Sequence, residues 1–142
     1  LNNCSRESIV NGYDNTLVYT DHVLSSLIDL LRKNQEKVDT AMLYMSDHGE
    51  SLGEYNLFLH GTPYMLAPEQ QKHVAWFSDS YQKSFSVDTH CLQLTRDKSF
   101  SQDNLFHSML GLLEVSSKVY NQDLDMFAGC RGAVIDGVLA KD

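Results

Sequence analysis

The sequence lacks several features that would reveal a function at once. It has no P-loop and no Ser-centred GxSxG motif, so neither a phosphate-binding loop nor a hydrolase nucleophile is visible. Its three cysteines form no CxxC pair, which argues against a cysteine zinc site. No apolar run approaches the length of about eighteen residues that a membrane helix needs.

Positive charge is also scarce. The 142 residues include 19 acidic and 11 basic side chains, for a net charge of −8, which argues against binding to nucleic acid. The first residues, LNNCSRES, have neither the basic nor the apolar region of a signal peptide. They also lack an initiator Met, as expected of a processed chain or of a piece of a longer one. The length predicts one domain with a real core.

Two segments have helical periodicity. Residues 13–34, YDNTLVYTDHVLSSLIDLLRKN, predict an amphipathic helix with Asp14 near its start and basic residues near its end. A second helix is predicted after a Ser101 cap, with Asp103 in its first turn. The predicted buried stripes are Leu17, Val23, Leu24, Leu27, Ile28, Leu30 and Leu31 in the first helix, and Leu105, Phe106, Met109, Leu110 and Leu113 in the second.

An apolar run, TAMLYM at residues 40–45, follows the first helix. Because it does not alternate with polar residues, it predicts a strand covered on both faces, which is typical of a parallel sheet in an α/β fold. HVAWF at 73–77 predicts a second strand, 49–72 predicts a long loop, and 81–99 predicts loop or edge structure. The tail at 133–142 has no predicted place.

The candidate metal-binding and catalytic residues lie directly after TAMLYM. Asp47 and His48 end the predicted strand, and His60 follows a Gly-rich loop. Ligands in α/β sheets bind beyond the carboxyl ends of strands, and carboxylate with imidazole suits Zn²⁺. The plainer interpretation is a capping Asp beside surface histidines. Glu50 and Glu54 could orient ligands or simply be solvated. The other histidines are structural by default: His22, His73, His90 and His107.

These residues carry a family resemblance. Three segments resemble the bacterial phosphoethanolamine transferases and occur in the order found in that family. They are VNGYDNTLVYTDHVLSSLIDLL, SDHGESLGEYNLFLHGTPYMLAPEQQKHV and SQDNLFHSMLGLLEV. These lipid A-modifying, polymyxin-resistance enzymes belong to the alkaline phosphatase and sulfatase superfamily. The resemblance runs to about Cys130. HVAWFS is shorter than the corresponding family stretch, HVPMxxWFS.

The resemblance implies a fold and a site. Residues 1–142 would be the C-terminal portion of a periplasmic catalytic domain, a partial alkaline phosphatase/sulfatase-like α/β sandwich with helices on a mainly parallel sheet. Asp47 and His48 would bind zinc, and His60 would be catalytic and contact the substrate phosphoryl group or a second zinc ion. The remaining zinc ligands and the nucleophilic Thr would lie outside this chain. Cys4 would pair with a cysteine upstream; whether Cys91 and Cys130 pair is open.

Three functions follow from these expectations. The first is part of a zinc-dependent transferase that moves phosphoethanolamine from phosphatidylethanolamine to a lipid A phosphate through a phospho-Thr. Its parent would be anchored by N-terminal helices at the periplasmic face of the Gram-negative inner membrane. The second is a fragment of a sulfatase-like or phosphodiesterase metallohydrolase, and the third is an inactive folded fragment. We also expect exposed apolar surface, with self-association or low stability.

Overall fold

The chain forms a mixture of helices and short strands. The computed structural model describes residues 4–56, 58–59, 73–132, 134–135 and 138–139, and the side chains of Tyr55, Leu59 and the last two segments are not described. The chain divides into two compact units, residues 1–77 and residues 78–142. Helices and strands occur in both units, so the predicted α/β class is confirmed.

The first unit begins with a long helix, α1, at Arg6–Asn34. It starts earlier than predicted because Ser5 caps it, accepting a hydrogen bond from the Ser8 backbone N–H at 3.1 Å. Glu7 lies in its first turn and two basic residues lie in its last, so charges of the favourable sign occupy both ends. The predicted end at Asn34 is confirmed.

The apolar stripe of α1 is only partly covered. Leu24, Ile28 and Leu31 are half-buried, and no residue of the helix is fully buried. The predicted burial is wrong for four members of the stripe, which are exposed: Leu17, Val23, Leu27 and Leu30. Periodicity identifies the apolar side of a helix, but a neighbour must be present to cover it. The predicted exposure of apolar surface is confirmed for this unit.

Two five-residue strands form the central pair of the first unit. Strand β1, Ala41–Met45, pairs with β4, His73–Phe77, and their register sets Ala41 opposite Phe77 and Met45 opposite His73. The pair is antiparallel, as are all strand pairs among the described residues, so the prediction of mainly parallel pairing is wrong for them. A continuous apolar run indicates cover on both faces and does not fix the direction of the neighbouring strand.

The end of α1 packs over this pair. Thr40 donates its hydroxyl hydrogen to the Leu31 carbonyl at 3.3 Å, and the Arg32 guanidinium lies 5.8 Å from the centre of the Trp76 ring. Met42 and Phe77 are the buried apolar side chains of the pair. These contacts hold the start of the strand pair against the end of α1.

The predicted loop after β1 contains short regular elements. Strands β2, Ser51–Leu52, and β3, Phe58–Leu59, form a small antiparallel pair around a 3₁₀ turn at Glu54–Asn56. Gly53, at the start of the turn, has φ +102°, and a Cβ there would lie 2.9 Å from the Phe58 ring. Glycine is therefore required at this position.

The described part of the second unit contains three helices. Helix α2, Asp79–Ser84, and α3, Thr89–Thr95, are capped by the side chains of Ser78 and Asp88. The loop prediction for this region is wrong because these short helices depend on their caps rather than on an apolar stripe. In helix α4, Asp103–Leu112, the cap position is Gln102, one residue after the predicted Ser101.

Helix α4 buries a face that overlaps the predicted one only in part, since Leu105 and Leu110 are half-buried. Its buried residues are Ser108, Gly111 and Leu112, whereas Phe106, Met109 and Leu113 are exposed. Polar and small side chains face inward because the chain after α4 supplies their hydrogen-bond partners. The predicted buried stripe is therefore wrong for these three exposed members.

The rest of the second unit wraps around α4. It includes 3₁₀ turns at Gln122–Leu124 and Ala128–Cys130. A disulfide joins Cys91 of α3 to Cys130, which resolves the pairing that the sequence left open, and Cys4 is exposed with no disulfide partner among the described residues. In the tail, β5, Val134–Ile135, pairs with β6, Val138–Leu139.

Candidate functional site

The segment that follows β1 carries the predicted metal ligands. Asp47 and His48 come directly after the strand, as predicted, and their side chains are 89% and 44% exposed. Ser46 donates its hydroxyl hydrogen to the His48 carbonyl at 2.6 Å, and the Asp47 carboxylate accepts the His48 backbone N–H at 3.2 Å. These local bonds accompany a bend at Asp47, directly after the strand.

The imidazole of His48 has a defined orientation. Its Nδ1 lies 2.8 Å from the Gly49 carbonyl oxygen, which can only accept, so Nδ1 carries the hydrogen. In the neutral ring the lone pair is then on Nε2. A backbone carbonyl that fixes the tautomer in this way is the usual partner of a metal-binding histidine.

The two side chains can serve one metal ion. Asp47 Oδ2 lies 3.8 Å from His48 Nε2. Zinc bonds of about 2.0–2.1 Å in a tetrahedron separate two ligand atoms by about 3.3 Å, which a small side-chain rotation would reach. Within the described ranges no group of three or more possible ligands lies together. Asp47 and His48 therefore fit two positions of a zinc site, fewer than the three protein ligands usual in catalytic sites.

The third predicted site residue, His60, lies outside the described residues. His73 is at the start of β4, opposite Met45, and its Nε2 is buried with no hydrogen-bond partner in the described part of the chain. His107 has a structural contact, since its Nδ1 accepts the Asn121 backbone N–H at 3.1 Å.

A feature that the sequence did not suggest holds the loop after the predicted ligands. Arg6, the first residue of α1, donates from Nε to the Leu52 carbonyl at 3.1 Å, and its Nη2 lies 3.8 Å from Glu54 Oε1. Glu54 in turn accepts the Leu52 backbone N–H at 2.7 Å. We call Arg6, Leu52 and Glu54 the Arg6 clamp. Nothing in the local sequence pairs Arg6 with Leu52, 46 positions along the chain.

The Arg6 clamp also accounts for the electrostatics of Glu54. Hydrogen bonds from the backbone amides of Glu54 and Leu52 lower the pKa of the Glu54 carboxyl, and the Arg6 charge adds a smaller effect in the same direction. Glu54 is therefore engaged in closing the turn. The sequence also allowed it to orient a metal ligand, but the contacts that the structure gives it are structural.

The second unit contains a buried ionic network that the sequence also failed to suggest. Arg131 Nη2 lies 2.6 Å from Asp125 Oδ2, and the Tyr120 hydroxyl donates to the same oxygen at 2.8 Å. Burial, and then the nearby Asp125 carboxylate, raise the pKa of Tyr120. A Cβ on Gly111 would overlap both Asp125 Oδ2 and Arg131 Nη2, so only glycine leaves space for the pair.

Comparison with known protein families identifies one match. The sulfatase family model matches residues 2–115, so it includes α1, β1, the predicted metal ligands and α4.

Three relatives with known names are similar to the chain. Phosphoethanolamine transferase EptA of Escherichia coli K12 is 47% identical over 135 residues, which are 92% of this chain and 25% of the relative. Phosphatidylethanolamine transferase Mcr-1 of Escherichia coli is 36% identical over 119 residues, 82% of this chain and 21% of the relative. Kdo(2)-lipid A phosphoethanolamine 7''-transferase of Escherichia coli K12 is 43% identical over 81 residues, which are 55% of this chain and 14% of the relative.

Solved structures show the same similarity. The soluble domain of lipooligosaccharide phosphoethanolamine transferase A from Neisseria meningitidis superposes with a TM-score of 0.82 and 38% identity, over 92% of this chain and 40% of that one. The integral membrane form of that protein gives a TM-score of 0.82 and 37% identity, over 92% of this chain and 25% of that one. In the described part of this chain, no helix is both long and apolar enough to cross a membrane. The chain spans about a quarter of the length of its first named relatives.

Proposed function

The chain belongs to the sulfatase family, and from its similarity to phosphoethanolamine transferases we propose that it forms part of a zinc-dependent enzyme that transfers phosphoethanolamine. The donor would be phosphatidylethanolamine and the acceptor a phosphate of lipid A, since the names of two relatives contain these two lipids. The observation that carries the proposal is the placement of Asp47 and His48 side by side at the end of β1. The two atoms that would bind the metal, Asp47 Oδ2 and His48 Nε2, lie 3.8 Å apart.

Each residue would have a separate part in this reaction. Asp47 would supply a negatively charged oxygen ligand, and His48 a neutral nitrogen ligand held in place by the Gly49 carbonyl. A bound zinc ion would neutralise phosphoryl oxygens and lower the pKa of a coordinated hydroxyl. His60 would donate a hydrogen bond to a phosphoryl oxygen while charge develops on it.

The nucleophile is proposed to come from outside this sequence. A Thr would accept the phosphoethanolamine group and pass it to the acceptor, so that one difficult displacement becomes two easier ones. One relative is an integral membrane protein, which supports a location at a membrane. The location that we propose is the periplasmic face of the inner membrane, where both lipids would be accessible. The zinc ion, the donor and acceptor lipids and the location are all parts of the proposal.

The experiment uses a fluorescent phosphatidylethanolamine and follows release of diacylglycerol. A full-length protein that carries these 142 residues should release it only with zinc present, and a His48→Ala variant should lose both bound zinc and release. The 142 residues alone should release none, because the proposed nucleophile and the remaining proposed zinc ligands would lie outside them. Unchanged zinc content and activity in the His48→Ala protein would overturn the assignment.

A second readout of the same reaction, the fate of the phosphoethanolamine group, separates transfer from hydrolysis. The match to the sulfatase family is also compatible with a metallohydrolase that uses water as the acceptor. In a transferase, phosphoethanolamine should appear on added lipid A. In a hydrolase, free phosphoethanolamine should appear whether or not lipid A is added.

A further inference from the structure

The predicted metal ligands lie in a short connection between two strands. Strand β1 ends at Met45, and residues 46–50 connect it to β2 and carry Asp47 and His48. Strand pairing holds the start of this connection, since Met45 lies opposite His73 in a five-residue ladder. Strands β2 and β3 pair over two residues each, so pairing alone holds the end of the connection much less firmly.

The Arg6 clamp provides a further hold at that end. Arg6 Nε donates to the Leu52 carbonyl and the Glu54 carboxylate accepts the Leu52 N–H, so side chains bond both backbone polar groups of Leu52. Gly53 permits this close approach, because a Cβ there would lie 3.0 Å from Arg6 Nε. The clamp therefore fixes the chain shortly after His48.

Helix α1 gives the clamp a rigid base. Arg6 is its first residue, and the Ser5 cap holds the backbone of that turn. Near the other end of the same helix, the Leu31 carbonyl accepts the Thr40 hydroxyl directly before β1. One helix thus contacts the chain on both sides of the connection that carries the predicted ligands.

We propose that Arg6 is a positioning residue for metal binding, which holds Leu52 so that Asp47 and His48 stay in the arrangement that binds one ion. This role rests on the proposed zinc site. The clamp contacts of Arg6 are with Leu52 and Glu54, so it acts through the backbone of the connection. Without them, the connection adopts further conformations in which the two ligands are too far apart to share an ion. Apparent zinc affinity then falls with the fraction of molecules in the binding arrangement.

Zinc titration of a full-length protein that carries these 142 residues tests the proposal. Arg6→Ala should weaken zinc binding about tenfold, at the low end of the range for residues that support metal ligands. Transfer activity should fall at limiting zinc and recover at saturating zinc. The melting temperature without zinc should stay close to that of the parent, because Arg6 is 62% exposed and exposed ion pairs contribute little to stability.

Two further variants make the zinc titration specific. Arg6→Lys keeps the charge but loses the planar group that reaches both the carbonyl and the carboxylate, so its zinc affinity should lie between those of Arg6→Ala and the parent. Arg96→Ala is the matched control, since it removes the same charge from an exposed ion pair with Asp97 in the second unit. It should leave zinc affinity unchanged.

Hydrogen exchange of the zinc-free protein gives a readout that needs neither metal nor activity. In Arg6→Ala, the backbone amides of residues 46–54 should exchange several-fold faster, while those of β1 keep the parent's rate. Glu54→Ala should have a similar effect, and the double variant should add little, because the two side chains act as one clamp.

The outcomes separate this role from the proposed function. Parental zinc affinity in Arg6→Ala, together with loss of zinc in His48→Ala, would overturn the positioning role alone. Parental zinc affinity in His48→Ala would overturn both. A drop in the melting temperature of Arg6→Ala that accounts for its loss of zinc would assign Arg6 a purely structural role and would also overturn the proposal.

Discussion

Asp125 and Arg131 form an ion pair with an oxygen–nitrogen distance of 2.6 Å, and their side chains are 0% and 6% exposed. Asp125 also accepts the Tyr120 hydroxyl with the same oxygen and the Phe127 backbone N–H with the other oxygen. A buried carboxylate that keeps three such partners is well satisfied, but removal of the cation leaves its charge without compensation.

Removal of one charge of this pair should destabilise the protein strongly. Arg131→Met leaves Asp125 buried without its cation, and we expect the free energy of unfolding to fall by about 3–5 kcal/mol. Denaturant unfolding followed by circular dichroism measures this change. The control is Asp123→Asn, an exposed acidic residue in the adjacent 3₁₀ turn, which should change it by less than about 0.5 kcal/mol. Equal effects of the two substitutions would contradict the buried network.

Gly111 makes a second test of the same network. A Cβ there would overlap Asp125 Oδ2 and Arg131 Nη2, so Gly111→Ala must displace the ion pair. We expect a loss of about 2 kcal/mol or more, in the range of other overpacked sites. Gly129→Ala is the matched control because a Cβ there meets no described atom within 4 Å. A Gly111→Ala protein as stable as its parent would show that this space is not needed by the ion pair.

Helices α1 and α4 show why the fold was only partly predictable. The end of α1, the end of β1 and the position of β4 follow from apolar runs and helix-stop residues, which are local signals. The inward face of α4 depends on Asp125 and Arg131, which lie beyond the helix and give no local signal. The apolar pattern therefore located α4 but assigned three exposed side chains, Phe106, Met109 and Leu113, to the interior.

The candidate site was predictable to a similar extent. Asp47 and His48 stand where the sequence placed them, because a strand end is a local feature. The Arg6 clamp joins the first turn of α1 to Glu54, and a contact of that sequence separation arises only from tertiary packing. The roles of Asp47, His48 and His60 stay predictions.

The Arg6 clamp should respond to acid. The pKa of Glu54 is lowered below its ordinary value of 4.5, so its carboxylate is favoured in the folded chain. The Glu54 carboxylate therefore stabilises the folded chain fully above pH 4.5. This stabilisation disappears as the pH falls through the pKa that Glu54 has in the folded chain, which is lower than 4.5. NMR should show the Leu52 amide shift changing below pH 4.5, and a Glu54→Gln variant should remove that change.

Arg6→Gln is the matched variant for this titration. It should reduce the depression of the Glu54 pKa only slightly, since backbone amides are the larger cause. A midpoint at or above 4.5 in the parent chain would contradict this assignment.

Zinc binding by the 142 residues alone should be weak. Asp47 and His48 supply two ligands, whereas a catalytic zinc site usually has three. We expect titration against a chromophoric chelator to show weak binding that is lost in Asp47→Ala and His48→Ala. His22→Ala, an exposed histidine on α1, should bind as the parent does. Zinc binding that survives both substitutions would place the metal elsewhere.

The Cys91–Cys130 disulfide has a practical consequence for how the chain is made. It joins residues 39 positions apart and anchors the segment directly before Arg131, so the covalent bond and the buried ion pair hold neighbouring residues. Disulfides form in oxidising compartments such as the periplasm, whereas thiols stay reduced in the cytosol. Recombinant chain produced in an ordinary bacterial cytosol should therefore emerge with a loosened second unit, and export or an oxidising host strain should be needed for a homogeneous preparation.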